Sequence, residues 1–97
     1  TRLIKLIIKH RDFATCEQAA FSLQKMLFKR LGTNVIGPES PYIGRARNLF
    51  IKEILVKIDK ASPYLGQIKQ YVFACMQKVS GAKEFKSSII FADVDPY

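Results

Sequence analysis

The chain has 97 residues, 48% of them apolar, which is enough for one small domain with a single core. Sixteen Lys and Arg oppose eight Asp and Glu, leaving a net charge of +8, so the expected partners are polyanions: nucleic acid first, an anionic membrane surface second. No apolar run approaches bilayer-spanning length, no signal peptide is visible and no glycine-rich phosphate loop occurs, which argues against a membrane-spanning segment and against nucleotide hydrolysis by this chain itself.

The first strand comes at once. Residues 2–10 alternate, with Ile4, Leu6, Ile8 and His10 on one face and Leu3, Lys5, Ile7 and Lys9 on the other. This period of two predicts a strand whose first set faces the core. Because the chain starts at Thr1 and enters this strand immediately, it is expected to be a piece of a longer protein.

A helix is predicted over about 15–31. Thr15 and Gln18 fit a capping box, with Asp12 as the alternative cap. Cys16, Ala19, Ala20, Leu23, Leu27 and Leu31 recur at helical spacing. Lys25, Lys29 and Arg30 suit the negative end of the helix, and Gly32 suits its C-terminal cap. A short second strand, 34–37, is expected to stop at Pro38, and Leu49 to Ile58 reads as a long central strand with apolar residues on both faces.

Ser62-Pro63 predicts the start of a second helix, whose buried stripe is Leu65, Ile68, Val72, Met76 and Val79 and which ends at Ser80-Gly81. A last strand is expected over 88–94. The order β-α-β-β-α-β predicts an α+β fold of the ferredoxin-like type, two helices on one face of a four-stranded antiparallel sheet. The open face would carry Ile7, Ile51, Leu55, Ile89 and Phe91 beside Lys5, Lys9, Lys57 and Glu53, a mixed patch suited to contact with another domain.

Between the second and third strands lies the stretch Val35-Ile36-Gly37-Pro38-Glu39-Ser40-Pro41-Tyr42-Ile43-Gly44-Arg45-Ala46-Arg47-Asn48. Two prolines force this loop out of the sheet and stiffen it, which places its cations at a sheet end. Arg45 and Arg47, two apart in an extended segment, can share one phosphate backbone, because a guanidinium offers a planar fork of donors and also stacks on bases. Asn48 adds a neutral hydrogen bond, Tyr42 is the ring expected to be exposed for stacking, and Lys52 extends the positive stripe. Phe50 alternates with Ile54 and Val56 and is expected in the core. The competing reading is that one arginine pairs with Glu39 or Asp93 and pins the loop.

Cys16 and Cys75 are far apart, each on the apolar stripe of a predicted helix. Both are expected to be reduced core residues of a cytosolic protein, and no Cys/His cluster with zinc-ligand spacing occurs. Asp93 and Asp95 lack a third ligand or a base and are expected to organise the chain end, while His10 is expected to be structural or solvent-facing. No metal or cofactor is expected in this fragment.

Two motifs together, Val35-Ile36-Gly37-Pro38 with Pro41, Arg45, Arg47-Asn48-x-Phe50 and Ile54-Leu55-x-Lys57, and then Asp93-Val94-Asp95-Pro96, resemble the C-terminal domain of the primosomal replication-restart DNA helicases, the PriA (primosomal protein N-prime) family. The resemblance covers the whole chain and implies a domain similar in fold to ribosomal protein S10, following two helicase lobes that hold ATP and zinc in the parent chain. It implies binding of single-stranded and forked DNA by an accessory domain that is not itself an enzyme. Implied partners are the remaining domains of the same chain, the acidic tail of single-stranded DNA-binding protein and other primosome proteins, in the bacterial cytoplasm and not at a membrane. The matching residues are Gly37, Pro38, Arg45, Arg47, Asn48, Lys57 and the run 93–96. The connector at 59–62 and the long loop before the last strand depart from the family pattern. The alternative is a protein-interaction module that docks on helicase lobes and on that acidic tail.

Overall fold

The structure, a computed structural model, describes residues 2–40, 45–46, 48–59 and 63–94. The elements in chain order are β1 (Arg2–His10), α1 (Phe13–Leu31), a 3-10 turn (Gly32–Asn34), β2 (Val35–Glu39), β3 (Arg45–Ala46), β4 (Leu49–Ile58), α2 (Leu65–Ser80), a second 3-10 turn (Lys83–Phe85) and β5 (Ile89–Val94). The sheet order is β2-β4-β1-β5, all neighbours antiparallel, with the short β3 paired to β4. Both helices pack on one face, which is the ferredoxin-like arrangement expected from the element order.

The core lies between the sheet and the helices. β1 and β4 each place three fully buried side chains on this face: Ile4, Leu6 and Ile8, then Ile54, Val56 and Ile58. Their register, with Ile4 opposite Val56 and Leu6 opposite Ile54, stacks them in matching rows. Ala19 and Ala20 are fully buried on α1, and small side chains there let the helix lie close to the sheet beside Leu23 and Leu27. Cys16 and Cys75 are buried and unbridged. Phe85, carried by the second 3-10 turn, closes the core below α1.

Among the described residues no helix or strand covers the opposite face of the sheet. Register places Ile7 beside Phe91, Lys9 beside both Ile51 and Ile89, and Lys5 beside Leu55, so apolar and cationic residues interleave as expected. Ile89 and Phe91 are exposed, and the Lys9 ammonium sits 5.4 Å from the centre of the Phe91 ring. Lys5 lies 3.8 Å from Glu53.

Three boundaries differ from expectation. α1 begins at Phe13 because Asp12, not Thr15, is the cap: its carboxylate accepts from the Thr15 N–H at 2.9 Å and the Thr15 hydroxyl at 2.7 Å. Those bonds hold the Asp12 carboxyl below its ordinary value of 3.8. α2 begins at Leu65, after a turn through Pro63 and Tyr64, and Tyr64 makes no side-chain cap bond; Ser62 lies outside the described residues. β2 continues past Pro38 to Glu39, because β2 is an edge strand, where a missing N–H on the outer side removes no ladder bond.

His10 is structural. Its Nδ1 accepts from the Asp12 N–H at 2.9 Å, and Nε2 lies 3.0 Å from the Lys86 carbonyl, a pair of contacts that calls for the tautomer with its proton on Nε2. The ring thus ties the end of β1 to the segment leading into β5.

Candidate nucleic-acid interface

The loop between β2 and β4 is prepared by an irregular edge. β2 pairs regularly with β4 as far as Ile36 opposite Leu55, then shifts register before Glu39 meets Glu53. Gly37 sits in this shift with φ +110°, and the Gly37–Pro38 bond is cis. A Cβ at Gly37 would stand 2.8 Å from the Glu53 carbonyl oxygen and 3.2 Å from the Glu39 nitrogen. Glycine is required here both for the backbone angle and for the close approach of β4.

Beyond Glu39 the chain is fastened by Lys52. The Lys52 ammonium donates to Ser40 Oγ at 2.9 Å, lies 3.8 Å from the Glu17 carboxylate and sits 5.3 Å from the centre of the Phe13 ring. Phe13 in turn meets Phe50 edge to face, with centroids 5.4 Å apart. α1, β4 and the residue that follows β2 therefore converge on one amine. Lys52 faces the helix side of the sheet and its side chain is only 14% exposed. It holds the loop base against α1 and presents little positive charge to solvent, which differs from the surface-ligand role read from its place on the stripe. The neighbouring Cys16 thiol lies 3.5 Å from the Ile8 carbonyl and 3.4 Å from that of Phe50, and burial pushes its pKa up, so it stays a weak donor.

β3 forms a short ladder with β4, Arg45 opposite Phe50 and Ala46 opposite Leu49. Asn48 follows at φ +66°, exposed, in the left-handed region that asparagine tolerates at hairpin turns. The backbone of Arg45 is thus held in the sheet two residues from the loop tip. Tyr42 and Arg47 lie outside the described residues, as does the Arg45 side chain. Of the five residues singled out in the sequence, the structure places the Arg45 backbone, Asn48 and Lys52 at one end of β4. Ser40, Glu17 and Phe13, which lock Lys52 in place, carried no signal in the sequence, because they come from α1 and from the segment after β2 and meet Lys52 of β4 only in the fold.

Among the described residues no group of three His, Cys, Asp or Glu side chains could hold a metal ion, and no helix is long and apolar enough to cross a membrane. No protein-family model matches the chain, and no curated protein matches it either.

Proposed function

We propose that this chain is a nucleic-acid-binding accessory domain of a replication-restart helicase, which takes up single-stranded or forked DNA through the loop that ends in Arg45, Arg47 and Asn48 and positions it for the helicase core. The observation that carries the reading is the fastening of that loop: Gly37 seats the edge strand against β4, and Lys52 clamps the loop base to α1. A fixed base lowers the ordering cost of a segment that reads phosphates from it, which is how such a segment gains affinity. The net charge of +8 supplies the long-range attraction. In this reading Arg45, Arg47 and Asn48 touch the DNA, Tyr42 stacks on a base, and Lys52 is a positioning residue. ATP and zinc belong to the other domains of such a helicase, and this fragment contributes no chemistry of its own. The resemblance to the primosomal helicase family supports the assignment to replication restart.

The second reading, a protein-docking module, is favoured by the uncovered sheet face with exposed Ile89 and Phe91. The same module would meet single-stranded DNA-binding protein and the helicase lobes. Salt separates the two readings. Fluorescence-anisotropy titration against forked, duplex and single-stranded DNA at two salt concentrations, with an Arg45→Ala, Arg47→Ala variant in parallel, is expected to show steeply salt-dependent binding that the variant loses. Absence of binding at low salt would overturn the DNA reading and leave the docking module.

A further inference from the structure

The surplus positive charge is not confined to the loop. α2 contains Lys69 and Lys78 and no Asp or Glu, and α1 beyond Glu17 contains Lys25, Lys29 and Arg30 and no Asp or Glu. Where the two helices lie side by side, they leave a groove on the outer surface of the helix layer. One segment, about 210 Å³, is lined by Lys29 and Lys78 together with Met26, Tyr71, Ala74 and Cys75. The next, about 310 Å³, runs on past Arg30, Asn34, Gln67 and Tyr64, and Tyr71 is common to both. Among the described residues no carboxylate lines either segment; Glu17 and Glu84 lie with Lys25 in a separate depression beside Phe21.

The floor of the groove is rigid. The Tyr71 hydroxyl donates to the Met26 carbonyl, tying α2 to α1, and burial raises the Tyr71 pKa, which keeps that donor protonated. The Arg30 guanidinium sits over the Tyr71 ring, 5.0 Å from its centre, so its charge is held over the groove. Lys29 from α1 and Lys78 from α2 thus flank one depression from both sides, and Arg30 from α1 flanks the adjoining one across Tyr71. The sixteen residues of α2 run for about 24 Å beside it, long enough for several consecutive phosphates. Cations on both helices, with no carboxylate beside them among the described residues, complement a phosphodiester backbone, and a positively charged groove is how a protein tracks a single strand.

We infer that the groove between α1 and α2 is a second nucleic-acid surface, which tracks the backbone of a single strand with Lys29, Arg30 and Lys78, on the face of the domain opposite the uncovered sheet. The inference rests on the nucleic-acid reading above and adds a path for the strand that the loop alone does not define. It makes no claim on base sequence, because the groove offers charge and no set of base-reading donors.

The test is anisotropy titration of the intact chain against a fluorescent single-stranded oligothymidine over a range of salt, with three variants. Lys29→Glu with Lys78→Glu reverses two of the three groove cations and leaves Arg30 on Tyr71, Arg45→Ala with Arg47→Ala removes the loop arginines, and Lys83→Glu with Lys86→Glu makes the same charge change outside the groove. The groove variant is expected to keep its circular-dichroism spectrum and to bind on the order of tenfold more weakly at low salt, its log–log salt slope shallower by about 1.4, near 0.7 for each lost contact to a single strand. The Lys83/Lys86 variant is expected to keep the wild-type slope. Equal losses in the two charge-reversal variants would overturn the groove by showing a response to net charge alone. An unchanged groove variant beside a loop variant that no longer binds would overturn the groove and leave the loop reading standing. No binding by the wild-type chain at low salt would overturn both. Groove-dependent binding to phosphatidylserine vesicles, with none to the oligonucleotide, would replace the strand by a membrane surface.

Discussion

Gly37→Ala is expected to be among the most damaging single-methyl additions to this chain. Two effects combine. An alanine at φ +110° sits in a sparsely populated backbone region, which costs roughly 1–3 kcal/mol. Its Cβ would also stand 2.8 Å from the Glu53 carbonyl oxygen, a backbone atom of a central strand that cannot swing aside as a flexible side chain would. Forcing β2 away from β4 adds roughly 1–3 kcal/mol, the usual range for overpacking. The sum, about 2–6 kcal/mol, is a large share of the roughly 5–15 kcal/mol expected for a domain of this size. Gly32→Ala is the internal comparison. Gly32 also has positive φ, +56°, yet nothing lies within 4 Å of its Cβ position, so only the backbone term applies, about 1–3 kcal/mol. Thermal unfolding followed by far-ultraviolet circular dichroism measures both. At about 4–8 °C per kcal/mol, Gly37→Ala should lower Tm further than Gly32→Ala by about 4 °C or more. Equal losses in the two variants would refute the close approach of β2 to β4 and with it the account of how the loop base is seated.

Three further outcomes are expected. Lys52→Met should retain packing on Phe13 and change stability by less than about 1 kcal/mol, while weakening DNA binding with an unchanged salt slope, since Lys52 positions the loop; a shallower slope would make it a phosphate contact. Tyr71→Phe should destabilise by about 1 kcal/mol in urea through loss of the bond to the Met26 carbonyl, and no change would show that the two helices are held by packing alone. Asp12→Ala should lower Tm at neutral pH. Because the folded carboxyl titrates below 3.8, its stabilisation is complete above the unfolded value and disappears as pH falls through the folded one, so the gap between wild type and variant should close in acid; a gap that widened in acid would contradict the cap.

Much of the fold was legible because alternation is a local signal. The period of two in residues 2–10 and 49–58 names the buried and open faces without any knowledge of partners, and β1 and β4 have those bounds. Helix starts were less legible where two caps compete: Asp12 and Thr15 both suit the role, and the fold resolves it by bonding one to the other. Pro38 reads as a strand breaker in isolation, and only the place of β2 at the sheet edge explains why the strand continues through it.

The candidate site divides in the same way. Charge, the stiff two-proline loop and the Arg45-x-Arg47-Asn48 cluster were present in the amino-acid order itself, since composition and local backbone chemistry need no tertiary partner. The fate of each cation was not. Alternation puts Lys52 on the helix side of β4, but its capture by Ser40, Glu17 and Phe13 depends on three segments brought together by packing. Lys29 and Lys78, 49 positions apart, share a groove only because α1 and α2 lie side by side on one sheet face. Local sequence determined the two helices, the four main strands and the faces they bury, while β3 reads as loop in isolation and exists only through its pairing with β4; the packing of helices on the sheet decided which charges are held inside and which line a common surface, because side-chain partnership across distant segments is a property of the assembled layers alone.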